Sequence, residues 1–169
     1  MSSYGEKVTA VTLGQHMTML QGWRDVLQVD YERMVTALCV DYTKLLQELH
    51  AEQKPITANI LTDIAEQPQE LIVLLMKNMQ ILATAQGSLI FPALVATVHI
   101  SNVVVSATVR GSGHGSHVMT ELVRLASEKW QPHRPLQFQL TSQEKRGTQS
   151  FYEELGFRAT PTIRYTMTF

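Results

Sequence analysis

Apolar residues along the 169-residue chain change period several times, and each change marks a boundary. The β-branched run Lys7–Leu13 (KVTAVTL) predicts a first strand. From His16 the spacing turns helical, with Leu20, Trp23 and Leu27 three to four residues apart around a weakening Gly22. Asp30 is placed to cap a longer helix on which Tyr31, Met34, Leu38, Tyr42, Leu45 and Leu49 form one stripe, stopped by Pro55. Thr57 is placed to cap a short helix through Ile60, Leu61 and Ile64, ending before Pro68.

Three strands are expected next. Leu71–Met76 (LIVLLM) has no polar face and reads as a central strand, and Lys77-Asn78-Met79 as a turn into Gln80–Ile90. Val95–Val105 follows after the break at Pro92. Val118, Met119, Leu122, Leu125 and Ala126 then share a helix face. Leu136, Phe138 and Leu140 alternate with polar residues as a half-exposed strand. A short helix carries Phe151, Tyr152 and Leu155, with Gly156 at its expected C′ position. Ile163, Tyr165, Met167 and Phe169 alternate as a final strand. The order predicts one α/β (α+β) domain over residues 1–169, with a mixed, mostly antiparallel sheet of six to seven strands flanked by helices.

Composition narrows the function classes. A hydrophobic content of 44%, a charged content of 17% and a net charge of −1 describe a folded protein without a global field for nucleic acid or anionic membrane. The longest apolar run is too short to span a bilayer, and the first residues lack a secretion signal's charged start and apolar core. The lone Cys39 excludes an internal disulfide and a cysteine-built zinc site, and its place among apolar helix residues suits a buried thiol. A cytoplasmic protein without nucleic-acid or membrane partners is the expectation.

The chemistry concentrates after Val103-Val104-Val105, where Arg110 is followed by Gly111, Ser112, Gly113, His114, Gly115 and Ser116. Glycines let consecutive backbone N–H groups turn toward one anion, and a helix N-terminus adds open amides with partial positive charge. Ser116 is a good N-cap residue for the helix that follows. The stretch therefore predicts a phosphate or pyrophosphate cradle. It is not an ATP-binding P-loop, because no Gly-Lys-Ser/Thr triplet occurs. It is a poor dinucleotide fingerprint, because Ser116 stands where the last glycine belongs and Leu136–Leu140 carries no acid.

Arg110-x-x-Gly113-x-Gly115, after a hydrophobic strand and before a helix, resembles the coenzyme A loop of the GNAT superfamily of N-acetyltransferases. The resemblance covers about residues 57–169 and includes SFYEELGF downstream and TIRYTM at the end, leaving residues 1–56 as the first strand and acceptor-side helices. Within the superfamily, ILATAQGSLI followed by HISNVVV resembles glucosamine-6-phosphate N-acetyltransferases. Those proteins carry a Glu-Asp pair where this chain has Ser101-Asn102, so a carboxylate pair that would position or deprotonate an amine is replaced by neutral residues.

The resemblance implies acetyl-CoA as co-substrate, with its pyrophosphate on the amides of Gly111–Ser116 beside Arg110. It implies its pantetheine arm along Val103, Val104 and Val105, where a backbone N–H can polarise the thioester carbonyl. Tyr152 matches the family tyrosine that gives a proton to the departing sulfur. The proton on the amine is a larger demand. An alkylamine is only about one part in 10³ neutral at pH 7, a cost of roughly 4–5 kcal/mol. His99 is a candidate base, directly or through water, because simple alternation puts His99 and Ser101 on the face of Val103 and Val105. His114 and His117 lack a clear third ligand, so no metal is expected. The reading is an acetyl-CoA-dependent N-acetyltransferase for a primary amine, more readily a small molecule than a protein, with an amino sugar phosphate among the candidates. Relatives suggest a homodimer. The alternative is a GNAT-fold module that binds CoA without catalysis.

Overall fold

The computed structural model describes residues 7–27, 31–90, 95–130, 135–142 and 147–161, with side chains of the first segment described to residue 22. Strand β1 (Thr9–Thr12) runs into helix α1 (Leu13–Leu27), followed by α2 (Tyr31–Gln47) and α3 (Ala58–Glu66). Strands β2 (Glu70–Lys77), β3 (Gln80–Ile90) and β4 (Ala96–Val105) come next, then a 3₁₀ turn at Ala107–Val109. Helix α4 (His114–Trp130), strand β5 (Leu136–Leu140) and helix α5 (Gln149–Glu154) complete the order. The strands form one sheet in the order β1-β2-β3-β4-β5. All neighbours are antiparallel except β4 and β5, which are parallel and joined through α4. A parallel pair needs such a crossover, and a helix is its usual form.

Each boundary has a local cause. β1 is shorter than the run Lys7–Leu13 because Thr12 and Gln15 form a capping box. Thr12 Oγ1 accepts from Gln15 N at 3.1 Å, and Gln15 Oε1 accepts from Thr12 N at 3.1 Å. The helix therefore starts at Leu13, three residues before the first helical spacing is visible, and it continues through Gly22. Thr57 caps α3 as expected, accepting from Ile60 N at 3.4 Å. α2 ends at Gln47 rather than Leu49. The Asn78-Met79 turn has φ of 50° and 64°, the left-handed pair that matches the twist of a two-residue hairpin. The described residues contain five strands, and the expected strand at Ile163–Phe169 and the Asp30 cap lie outside them.

The sheet has helices on both faces, which is why β2 has no polar side. Ile72, Leu74 and Met76 pack with Leu20, Leu38, Tyr42, Leu45 and Leu61 of α1–α3. Leu71, Val73 and Leu75 pack with Val118, Met119, Leu122 and Ala126 of α4. Gly87 of β3 lets α4 approach: a Cβ there would stand 3.1 Å from Val98 Cγ1 and 3.3 Å from Leu122 Cδ1.

One irregularity governs everything downstream. β3 pairs Thr84 with Val104 but Gln86 with Ser101, so Ala85 faces two residues, Asn102 and Val103. Asn102 sits at φ 50°, the left-handed conformation that asparagine tolerates better than most residues. This bulge reverses the side-chain alternation. Val98 and Ile100 share the α4 face with Val103 and Val105, whereas Val104 faces α1–α3. His99 and Ser101 therefore lie on the opposite face from Val103 and Val105, and the shared face expected from alternation is corrected.

Candidate functional site

β5 stays beside β4 only as far as the Ile100–Leu140 pair. Beyond it, no strand among the described residues pairs with β4 on that side through Ser101–Val105, where Val105 O instead accepts from the Arg110 side chain. Backbone groups on such an edge are free to pair with an extended amide-bearing arm. The edge opens into a cleft of about 730 Å³ lined by Val103, Val104, Val105, Arg110, Gly111, Gly113, His114, Gly115, Ser116 and Tyr152, among others. Of the candidate cofactor residues, Ser112 does not line it, and the candidate base His99 does not line it either.

The loop at the far end of the cleft is built as its glycines require. Gly111 and Gly113 both have φ of 78°, and among the described residues no atom beyond their chain neighbours stands within 4 Å of where a Cβ would be. They are glycines for backbone conformation, not for space. α4 starts at His114, and its His117 N–H donates to Gly113 O at 3.0 Å. Ser116 is thus inside the first turn, and the N-cap role expected of it is corrected. The N–H groups of His114, Gly115 and Ser116 precede the first intrahelical donor, so they are the open amides of the helix end. All three residues line the cleft, and open amides at a helix N-terminus are the kind of group that can hold an anion.

Gly115 has a different reason. A Cβ there would lie 3.2 Å from Cε2 and Cζ of Phe151 and 3.6 Å from Val105 Cγ2. The glycine loop, the β4 edge and Phe151 of α5, separated in sequence, are packed against one another through this glycine. Tyr152 is held by the end of its own helix. Gly156 takes φ 89°, its N–H donates to Glu153 O at 2.9 Å, and Phe157 N–H donates to Tyr152 O at 3.0 Å. This is the Schellman pattern, and its usual apolar contact is present as Tyr152 and Phe157 rings edge-to-face at 6.2 Å. Phe151 packs on Tyr152 in the same manner at 5.0 Å.

Arg110 is not directed only at the loop. Its Nε donates to Val105 O at 3.1 Å and its Nη2 to Glu48 Oε2 at 2.7 Å, and the same carboxylate oxygen accepts from Ala107 N at 2.7 Å. Glu48, just past the end of α2, clasps the turn between β4 and the loop. Glu48, Leu49, Thr148 and Phe151 line the cleft without having stood among the sequence candidates. The FY pair in SFYEELGF was the available signal for Phe151; nothing in the sequence joins Glu48 to Arg110, 62 residues away.

Other reactive side chains are buried away from this cleft. Burial pushes the Cys39 thiol up from its ordinary value, as expected for a packed thiol. Burial pushes the Tyr42 phenol up to about 12, opposed by its hydrogen bond with Thr84. His16 is buried with no partner for Nε2 among the described residues, and burial holds it below the usual imidazole range. The described residues contain no group of three or more His, Cys, Asp or Glu that could hold a metal ion, and no helix long and apolar enough to cross a membrane.

The described residues thus define a class of architecture: a three-layer α/β domain in which a length of β4 without a strand neighbour on one side runs into a glycine-built helix N-terminus. The model of the Acetyltransferase (GNAT) family matches residues 31–157, and the chain belongs to that family. Similar solved structures include an acetyltransferase from Trypanosoma brucei, at 25% identity and TM-score 0.63, covering 76% of this chain and 92% of that one. The glucosamine-6-phosphate N-acetyltransferase of Arabidopsis thaliana shares the fold at 20% identity and TM-score 0.62, covering 76% and 88%. An aminoglycoside N-acetyltransferase in complex with CoA shares it at 14% identity and TM-score 0.63, covering 99% of both chains. No curated protein sequence matches the chain.

Proposed function

We propose that this protein is an acetyl-CoA-dependent N-acetyltransferase that moves an acetyl group directly to a primary amine, the acceptor being a small molecule. The observation that carries this reading is the continuity of one cleft from the free β4 edge through Tyr152 to the open amides of α4. Those residues fit CoA: an anion site for the diphosphate, an unpaired strand edge for the amide-rich arm, and apolar Val103 and Val105 along its wall. Bound acetyl-CoA supplies an activated acyl thioester. His114, Gly115 and Ser116 hold phosphate by main-chain N–H groups, and an N–H of the β4 edge polarises the thioester carbonyl. Tyr152, fixed by the Schellman turn and Phe157, gives its phenolic proton to the sulfur as it leaves.

His99 keeps a role only through water. It stands on the sheet face away from Val103, so a solvent bridge would carry the proton from the amine to its ring. Amino sugar phosphates are one candidate acceptor class, since the fold is shared with the plant enzyme named above. Neutral Ser101 and Asn102 favour one second reading, a CoA-binding module without turnover.

Calorimetry with acetyl-CoA and a thiol-release assay across an amine panel test the proposal together. Binding with amine-dependent CoA release supports it; binding without release supports the inert module; no binding at millimolar ligand removes both. Tyr152→Phe is expected to bind acetyl-CoA as the parent does and to lose turnover about 10²-fold or more. Unchanged turnover would remove the proton-donor role.

A further inference from the structure

The connection between β4 and α4 is held from outside by a closed set of hydrogen bonds. Glu48 Oε2 accepts from Ala107 N at 2.7 Å and from Arg110 Nη2 at 2.7 Å, while Arg110 Nε donates to Val105 O at 3.1 Å. One carboxylate oxygen thereby ties the 3₁₀ turn to the residue that opens the glycine loop, and through it to the last residue of β4. The start of the turn is also pinned to β3, where Leu82 O accepts from Ser106 N at 2.8 Å.

Glu48 has a firm base. The chain just after α2 is still wound, with Leu46 O accepting from Leu49 N at 3.0 Å and from His50 N at 2.9 Å. Further on, Thr43 Oγ1 accepts from Ile56 N at 2.9 Å, which folds the segment back onto α2. Leu38, Tyr42, Leu45 and Leu46 of α2 are buried in the core shared with β2. The carboxylate is therefore delivered from a packed helix. The Arg110 side chain is 57% exposed, and an ion pair so open to solvent contributes little to stability. Its consequence lies in geometry.

What the clasp fixes is a spacing. Val103, Val104 and Val105 line one part of the cleft, and Gly111, Gly113 and the first residues of α4 line another. Residues 106–110 join the two parts, and a connection of that length can reach about 17 Å when extended. Closure by Glu48 gives it one length and one angle. A ligand lying on both parts at once feels that spacing; a ligand on either part alone does not. A guanidinium has five N–H donors, and the bonds to Val105 and Glu48 leave Arg110 others with which to meet an anion without leaving the clasp.

We propose that Glu48 is a positioning residue that acts through Ala107 and Arg110 to set the register between the β4 edge and the glycine loop. It thereby sets where along β4 the thioester of bound acetyl-CoA falls. The inference rests on the CoA-binding part of the reading above and deepens it. Joining two binding groups gains an effective concentration that is greatest when the tether matches the span. The pantetheine arm is such a tether, and the clasp sets the span.

Three ligands separate register from charge: CoA, pantetheine for the strand end alone, and adenosine 3′-phosphate 5′-diphosphate for the loop end alone. The product of the two fragment Kd values, divided by the Kd of CoA, is the effective concentration gained by joining them. In Glu48→Ala this quotient is expected to fall about tenfold, measured by NMR titration of the fragments and calorimetry of CoA. A lost negative charge beside the loop changes the nucleotide and CoA alike and cancels in the quotient. Loosened packing at the strand end changes pantetheine and CoA alike and cancels too. Glu48→Gln keeps an oxygen for Ala107 and Arg110, so its quotient should stay within about threefold of the parent's. An unchanged quotient in Glu48→Ala overturns this inference and leaves CoA binding standing. A parent that does not bind CoA at millimolar ligand removes the reading beneath it. One readout needs no variant: the Ala107 amide should exchange slowly with solvent in the free parent and in its CoA complex. Fast exchange in the complex would show that the clasp opens around the ligand, and sinks the proposal even where no Glu48 variant folds.

Discussion

Gly113 in the loop and Gly115 in the first turn of α4 are expected to respond unequally to alanine. Gly113 has φ of 78° with nothing within 4 Å of a Cβ position, so Gly113→Ala introduces strain without a clash. Alanine in the left-handed region costs about 1–2 kcal/mol, offset by about 0.4–1 kcal/mol from the stiffer unfolded chain, leaving roughly 1 kcal/mol. The Gly113 carbonyl accepts the first helical bond of α4, whose Val118, Met119 and Leu122 are fully buried, so the loop has little freedom to relax. The loss should appear as a fall in Tm of about 2–4 °C. Any part escaped by loop relaxation should reappear as weaker CoA binding, up to about fivefold. Gly115 is in the helix, where alanine is favoured by up to about 1 kcal/mol over glycine. Its cost is only the 3.2 Å approach to the Phe151 ring, which is partly exposed and can shift by a few tenths of an ångström. Gly115→Ala should therefore lie within about 0.5 kcal/mol of the parent in stability. Thermal melts and calorimetric titration with CoA, run on both variants, decide it. Gly115→Ala more damaging than Gly113→Ala would show that crowding, not backbone conformation, sets the glycines of this loop.

Three further outcomes follow from the core. Tyr42 has its pKa raised to about 12 against about 10 unfolded, so its contribution is intact below pH 10 and is lost as pH rises toward 12. That is about 2–3 kcal/mol across the window, and denaturant midpoints of Tyr42→Phe should fall less steeply there than the parent's. His16 is held below its unfolded value by burial, so its contribution is present above about pH 6.5 and is lost as pH falls through the lower folded value. His16→Gln should flatten the acid side of the stability profile, and an unchanged profile would refute the assignment. Leu122→Ala, under Gly87 and fully buried, is expected to cost about 2–5 kcal/mol in a denaturant titration, and a value below 1 kcal/mol would mean that α4 settles onto the sheet.

Much of the fold was legible because local signals and burial agree. Leu71–Met76 reads as buried on both faces because it is, with α1–α3 on one side and α4 on the other. Asn78 of the turn, the Thr57 cap and the Gly156 stop carry their conformations in residue type, whereas Met79 at φ 64° does not. The capping box at Thr12 and Gln15 was present in the sequence but masked by a β-branched run that continues across it. The loop glycines were legible as positions of backbone need, and Gly111 and Gly113 do take positive φ. His99 was misplaced for a physical reason: alternation assumes an unbroken pleat, and one extra residue at Asn102 inverts every face after it.

The sequence by itself determined the elements and their order, since these depend on neighbours a few residues apart. Tertiary structure decided which side chains meet. Only the packed chain brings Gly115 to Phe151, Glu48 to Arg110, and Glu70 through Gln86 to Asn102. Those contacts join residues that the sequence keeps apart, and they depend on strand register, on the bulge and on where each helix comes to rest. No local pattern encodes such distances, because side chains find their partners only when the buried faces of the whole sheet have been satisfied.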